Sequence, residues 1–221
     1  MNIAIDGPAG AGKSTVAKLV AEQLEYLYID TGSMYRALAW AVITKQVDVE
    51  AEQAVSDLLK QNHITLKRDT DNQQHIFWND EDVTDRIRTP EVSKFASVVA
   101  SYAPVREQML VLQRELAVAG NVVMDGRDIG THVLPDAEVK IFLTASIRER
   151  AERRLQELLQ KGHQTDLAAL EAEIAERDKR DMEREVAPLR QADDAVLIDT
   201  TGMTIPQVVE RILEICKRSG E

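Results

Sequence analysis

Residues Gly7-Pro8-Ala9-Gly10-Ala11-Gly12-Lys13-Ser14 lie between a short apolar run, Ile3-Ala4-Ile5, and a helix-favouring stretch that includes Val16-Ala17-Lys18-Leu19-Val20. They fit the pattern G-x-x-x-x-G-K-S/T at every defined position, in the strand, loop, helix setting that pattern requires. Glycines let the backbone curl so that successive N–H groups point inward at phosphate oxygens. Lys13 adds a mobile positive charge, the Ser14 hydroxyl suits a magnesium ion bridging the phosphates, and the helix turns its positive end toward them.

The remaining elements alternate in the same way. Tyr26-Leu27-Tyr28-Ile29 reads as a buried strand ending at Asp30-Thr31-Gly32-Ser33, with a helix over Met34 to Lys45. Arg36 falls in its first turn. Asn121 to Asp125, Val139 to Leu143 and Val196 to Ile198 complete five short apolar strands, which predict a mostly parallel sheet covered by helices, an α/β fold. Asp125 closes its strand at the end where ligands bind in such folds, and is a candidate magnesium ligand.

Two excursions leave this core. From Val47 the chain predicts a charged helix over Glu50 to Gln61, then strands Ile64 to Lys67 and His75 to Trp78 around the turn Asp69-Thr70-Asp71-Asn72. Thr89 caps a helix with Pro90 at its first position, ending near Tyr102, and Pro104 opens another that stops at Gly120. The second excursion starts at the capping box Ser146-Ile147-Arg148-Glu149 and carries Arg148, Arg150, Arg153 and Arg154 to a stop at Gly162. A further helix, Asp166 to Glu185, places Arg177, Asp181 and Arg184 on one face. The expected domains are a core of 1–46, 104–146 and 188–221, an insert of 47–103 and a lid of 147–187.

Composition narrows the partners. The chain has 27 basic and 38 acidic residues, a net charge of −11, so a broad polymeric nucleic-acid face is not expected. Positive charge must be concentrated locally, and 17 of the 27 basic residues are arginine, whose planar fork grips phosphate oxygens in pairs. Cys216 is the only cysteine, which excludes an internal disulfide and suits a reducing, cytoplasmic setting. No leader or membrane-spanning stretch is expected. The four histidines have no zinc-ligand spacing, Trp40 and Trp78 read as packing residues, and a monomer is expected.

A phosphate loop by itself fits an ATPase, a GTP-dependent switch or a kinase. Mobile arginine-bearing segments that exclude water and cancel charge favour a phosphoryl transferase. A switch protein is disfavoured by the absence of an N-K-x-D guanine sequence; another small kinase, acting on a different nucleotide or a hydroxyl-bearing metabolite, stays open at this level.

Taken together, Gly7 to Thr15, Asp30-Thr31-Gly32-Ser33-Met34-Tyr35-Arg36, Asp125-Gly126-Arg127-Asp128-Ile129-Gly130-Thr131 and Arg177-Asp178 through Arg184 resemble bacterial cytidylate kinases over essentially the whole chain. The resemblance implies a nucleoside-monophosphate-kinase fold with an inserted monophosphate-binding subdomain and a helical lid. It implies transfer of the γ-phosphate of ATP to CMP or dCMP with magnesium, and places Gly7, Pro8, Ala9, Gly10, Ala11, Gly12, Lys13, Ser14 and Thr15 at the ATP phosphates. By motif, Thr31, Arg36, Arg127 and Arg184 would contact the phosphate of CMP. Ser97, Arg106 and Asp128 would face cytosine, and Arg177 and Asp181 would reach the sugar. Lys13, Arg127 and Arg184 would stabilise the transferring group, with Arg153 and Arg154 as lid candidates for ATP. A carboxylate at Asp128 can accept from the exocyclic amine of cytosine, whereas uracil would present it with another acceptor.

Overall fold

The computed structural model describes residues 1–69, 73–160, 162 and 164–219. Thr70 to Asn72 of the expected turn, and His163, lie outside the described residues. The chain forms two compact units, one made of residues 1–29 and 117–221 and the other of residues 30–116.

The first unit is built on β1, Asn2–Asp6, whose residues 3–5 are fully buried and which is paired on both edges. A strand with no exposed face must be apolar throughout, and Ile3-Ala4-Ile5 satisfies that in three residues. It runs parallel to β6, Val122–Gly126, with Ile5 opposite Asp125 and Asp6 opposite Gly126, and parallel to β7, Val139–Thr144. With β2, Leu27–Asp30, and β8, Val196–Asp199, the sheet order is β2-β6-β1-β7-β8. The order reverses at β1, so the carboxyl ends of β1 and β6 form the crevice where open α/β sheets hold ligands.

Helices α1, Lys13–Leu24, and α8, Ile205–Ser219, cover one face of this sheet. Val16, Val20, Val208, Val209, Ile212 and Cys216 pack on Ile3, Ile5, Val123, Val139 and Ile141. Each such side chain contributes about 1.5–3 kcal/mol on full burial. Ala4 and Met124, which alternate to the other face, are buried as well. Helices α6, Ile147–Gln160, and α7, Leu167–Glu183, pack on each other through Ala151, Leu158, Leu170 and Ile174. Both start on side-chain caps: Ser146 Oγ accepts from the Glu149 N–H at 3.1 Å and Asp166 Oδ1 from the Ala169 N–H at 2.8 Å.

The second unit contains α2, Thr31–Thr44, α3, Glu52–Lys60, a small sheet, α4, Pro90–Val99, and α5, Ala103–Ala117, whose first fourteen residues belong to it. Leu38, Val42, Val55, Leu59, Trp78, Val99 and Met109 share its core. In the sheet, β3, Ile64–Arg68, pairs antiparallel with β4, Gln74–Trp78, in the register Ile64 to Trp78.

Three local expectations are corrected. The hairpin has a third strand, β5, Glu81–Asp82, whose two acidic residues are too few to show a period. Helix α2 starts at Thr31 rather than Met34, because Asp30 caps it by accepting the Ser33 N–H at 2.9 Å. A π-helical turn, Ile129–Val133, follows β6 where no helix was expected.

Candidate active site

The phosphate loop leaves β1 at Gly7, where φ is +148° and an added Cβ would lie 2.0 Å from the Leu143 carbonyl oxygen of β7, so no other residue fits without moving the sheet. It closes at Gly12, φ +83°, which starts α1 without a side-chain cap. The first-turn N–H groups of α1 are therefore available to an anion. Lys13 is 5% exposed and donates from Nζ to the Pro8 carbonyl at 2.7 Å, folding back along the loop. Burial, then the charge of Arg127, pushes its ammonium well below the usual lysine range, while Asp125 and Asp6 oppose that shift. Phosphate oxygens would relieve the same strain by supplying negative charge.

Ser14 Oγ donates to Asp125 Oδ2 at 2.9 Å, and the Tyr28 hydroxyl donates to Asp125 Oδ1 at 2.9 Å. The hydroxyl and the carboxylate, 111 positions apart in sequence, thus meet at the end of β6 beside the loop. Just beyond, Arg127 Nε reaches Asp181 Oδ2 at 2.9 Å, and Arg184 Nη2 reaches Asp128 Oδ1 at 3.1 Å. Burial acts to raise the Asp181 carboxyl, but Arg127, Arg177 and Arg184 together outweigh it and hold the group below its ordinary value. The first unit therefore gathers Lys13, Ser14, Asp125, Arg127, Asp128, Arg177, Asp181 and Arg184 around one end of its sheet.

Arg184 reaches this cluster from outside the helix. Helix α7 ends at Glu183, and Arg184 has extended backbone, φ −60° and ψ 142°, so the expected shared helical face of Arg177, Asp181 and Arg184 is corrected at its last member. Its Nε donates to the Ala187 carbonyl at 2.7 Å, which fixes the guanidinium without helical spacing.

In the second unit, Asp30 serves twice. One oxygen caps α2 and the other accepts from Arg36 Nη2 at 2.9 Å, beside the buried Thr31. Ser97 is buried on α4, and the buried Arg106 donates to the Ala100 carbonyl at 3.2 Å with its guanidinium 5.7 Å from the Tyr35 ring.

Of the lid candidates, Arg153 donates to Thr200 Oγ1 at 3.1 Å and its Nη1 would lie 3.9 Å from a Cβ at Gly12, so it stands next to the loop. Arg154 pairs with Glu157 at 3.2 Å. Sequence reasoning gave no role to Arg150, a buried side chain whose Nε donates to the Ala145 carbonyl at 2.9 Å and Nη1 to the Ala9 carbonyl of the phosphate loop at 2.9 Å. Its Nη2 meets Asp178 Oδ2 at 2.6 Å. The available signal was an arginine one turn into an amphipathic helix, which carries no hint of its partners. Asp6 and Tyr28 were missed for the same reason.

A family model for cytidylate kinase matches residues 3–218. The chain belongs to the cytidylate kinase family. A cytidylate kinase of Bacillus cereus strain B4264 is 55% identical over 215 residues, covering 97% of this chain and 95% of the relative. One from Bacillus licheniformis is 53% identical over 219 residues, covering 99% and 97%. Among solved structures, an uncharacterized protein from Eubacterium ventriosum aligns with a TM-score of 0.55 at 13% identity over 99% of this chain and 98% of that one. A gluconokinase from Sinorhizobium meliloti aligns at 0.50 and 15% identity, over 99% and 93%. These two share the fold with the cytidylate kinase family member described above.

Proposed function

We infer that this chain transfers the γ-phosphate of ATP to CMP or dCMP, giving ADP and the corresponding diphosphate. Membership of the cytidylate kinase family over nearly the whole chain supports the reaction. The observation that carries the chemical reading is the set of arginines held by carboxylates beside the phosphate loop, Arg127 on Asp181 and Arg184 on Asp128. The acceptor is already an anion, so no strong base is needed. The task is to align two anionic groups and offset their repulsion.

The loop from Gly7 to Thr15 is assigned to the ATP phosphates, with Lys13 at the transferring group. By the family motif, Thr31, Arg36, Arg127 and Arg184 are assigned to the phosphate of CMP; an incoming phosphate would exchange with the carboxylates that hold the arginines. Asp128, Ser97 and Arg106 are assigned to cytosine, and Arg177 and Asp181 to the sugar. Ser14 and Asp125 would hold magnesium, since a hydroxyl and a carboxylate oxygen 2.9 Å apart are the hard donors that ion takes. Bound there, magnesium would neutralise phosphate charge. The expected core, insert and lid stay the working domain assignment, the expected setting is the cytoplasm, and the expected state is a monomer.

The test is product analysis of a reaction with magnesium-ATP and CMP. One CDP for each ADP is the expected result. ADP release without CDP would overturn the assignment.

A further inference from the structure

Asp6 closes β1 and immediately precedes the phosphate loop, and it is 4% exposed. Its Oδ1 accepts the Ile129 N–H at 2.8 Å and its Oδ2 accepts the Gly130 N–H at 2.7 Å. These are the first two N–H groups of the π-helical turn, which have no partner within the turn and would otherwise be buried unsatisfied. The turn hangs from Asp128, whose carbonyl accepts from the N–H groups of His132 at 2.9 Å and Val133 at 3.1 Å. One carboxylate therefore joins the root of the phosphate loop to the peptide that aims Asp128. The fit is close, because a Cβ on Gly130 would lie 3.4 Å from Asp6 Oδ2 and 3.2 Å from Lys140 Cδ.

We propose that Asp6 is a positioning residue for base selection, holding the turn after β6 so that Asp128 meets the exocyclic amine of the acceptor base. The inference rests on the reading of Asp128 as the cytosine-facing group. An ordinary structural acceptor could be a backbone carbonyl or an amide. Here a carboxylate is kept despite burial that pushes its pKa up to about 7, against the opposing pull of the two N–H groups, and it is the side chain with two acceptors at this spacing.

The test compares kcat/KM for CMP and for UMP in the wild type, Asp6→Asn and Asp128→Ala. Asp6→Asn keeps one acceptor and turns amide N–H groups toward the second backbone donor. The expected result is a fall in the CMP to UMP ratio of about fivefold or more, with KM for ATP changed less than about twofold. Loss of stability by itself would lower both substrates together and leave the ratio alone. If Asp128→Ala lowers the ratio and Asp6→Asn does not, the inference is overturned while the reading of Asp128 stands. If Asp128→Ala leaves the ratio unchanged, that reading fails and this inference falls with it. Should Asp6→Asn not fold, amide hydrogen exchange in the wild type decides. Slow exchange at Ile129 and Gly130 without nucleotide, hardly changed by CMP, supports a turn set by Asp6. Fast exchange that slows only with CMP overturns it.

Discussion

Replacing Arg150 by methionine removes the guanidinium that ties the phosphate loop to α7, and its cost follows from what is left behind. The side chains of Arg150 and Asp178 are 5% and 8% exposed and meet at 2.6 Å. Removing one member of a buried pair strands the other charge and costs about 3–5 kcal/mol. The Ala9 and Ala145 carbonyls also lose donors, so the upper half of that range, about 4 kcal/mol, is expected. For a chain of this size, that loss lowers Tm by about 10 °C. Because Ala9 belongs to the phosphate loop, KM for ATP should rise as well. Arg150→Met combined with Asp178→Leu removes both charges and should recover at least about 1 kcal/mol relative to additivity. Thermal and urea unfolding of the two single variants and the double variant measure this. A Tm loss below about 2 °C for Arg150→Met, or strict additivity in the double variant, would refute the reasoning.

Lys13→Met should lower kcat about 10²- to 10³-fold, as removal of a preorganised charge at the reacting group does, while leaving Tm level or higher, because burial and Arg127 already oppose the lysine charge in the fold; steady-state rates and a melting curve check both halves. The Asp6 carboxyl is raised from 3.8 to about 7, so the folded chain holds a proton that the unfolded chain releases. Its contribution to stability is full below about pH 4 and is lost as pH rises to about 7, and urea midpoints across that range should show a slope that Asp6→Asn removes. Burial pushes the Cys216 thiol up to about 11, so it should react with a thiol-specific dye only when the chain unfolds.

What the sequence revealed of the fold was local or strongly periodic. The caps at Thr89 and Ser146 lie three residues from the N–H groups they accept, and the residues at both ends of each bond are visible in a short window. Strands β1 and β6 were legible because buried parallel strands leave no polar alternation to misread, whereas β8, with Val196 and Leu197 exposed, was legible only from its short apolar run. The strut from Asp6 to Ile129 spans 123 positions, and the grip of Arg150 on Ala9 spans 141. Nothing near either residue specifies its partner, since sheet order alone sets which strand ends meet. Arg184 was placed on the wrong backbone because the sequence around Glu183 continues to look helical, while the structure leaves the helix there. For the candidate site, the phosphate loop could be named from its own residues. The roles of the arginines depend on which carboxylates hold them, and that information is carried by the fold.

The most direct measurement is ADP release from magnesium-ATP with CMP, dCMP, UMP, AMP, GMP and shikimate supplied separately, each beside a control without acceptor. Turnover concentrated in CMP and dCMP is the predicted result. Equal turnover with another acceptor, or ADP release that ignores the acceptor altogether, would contradict the account.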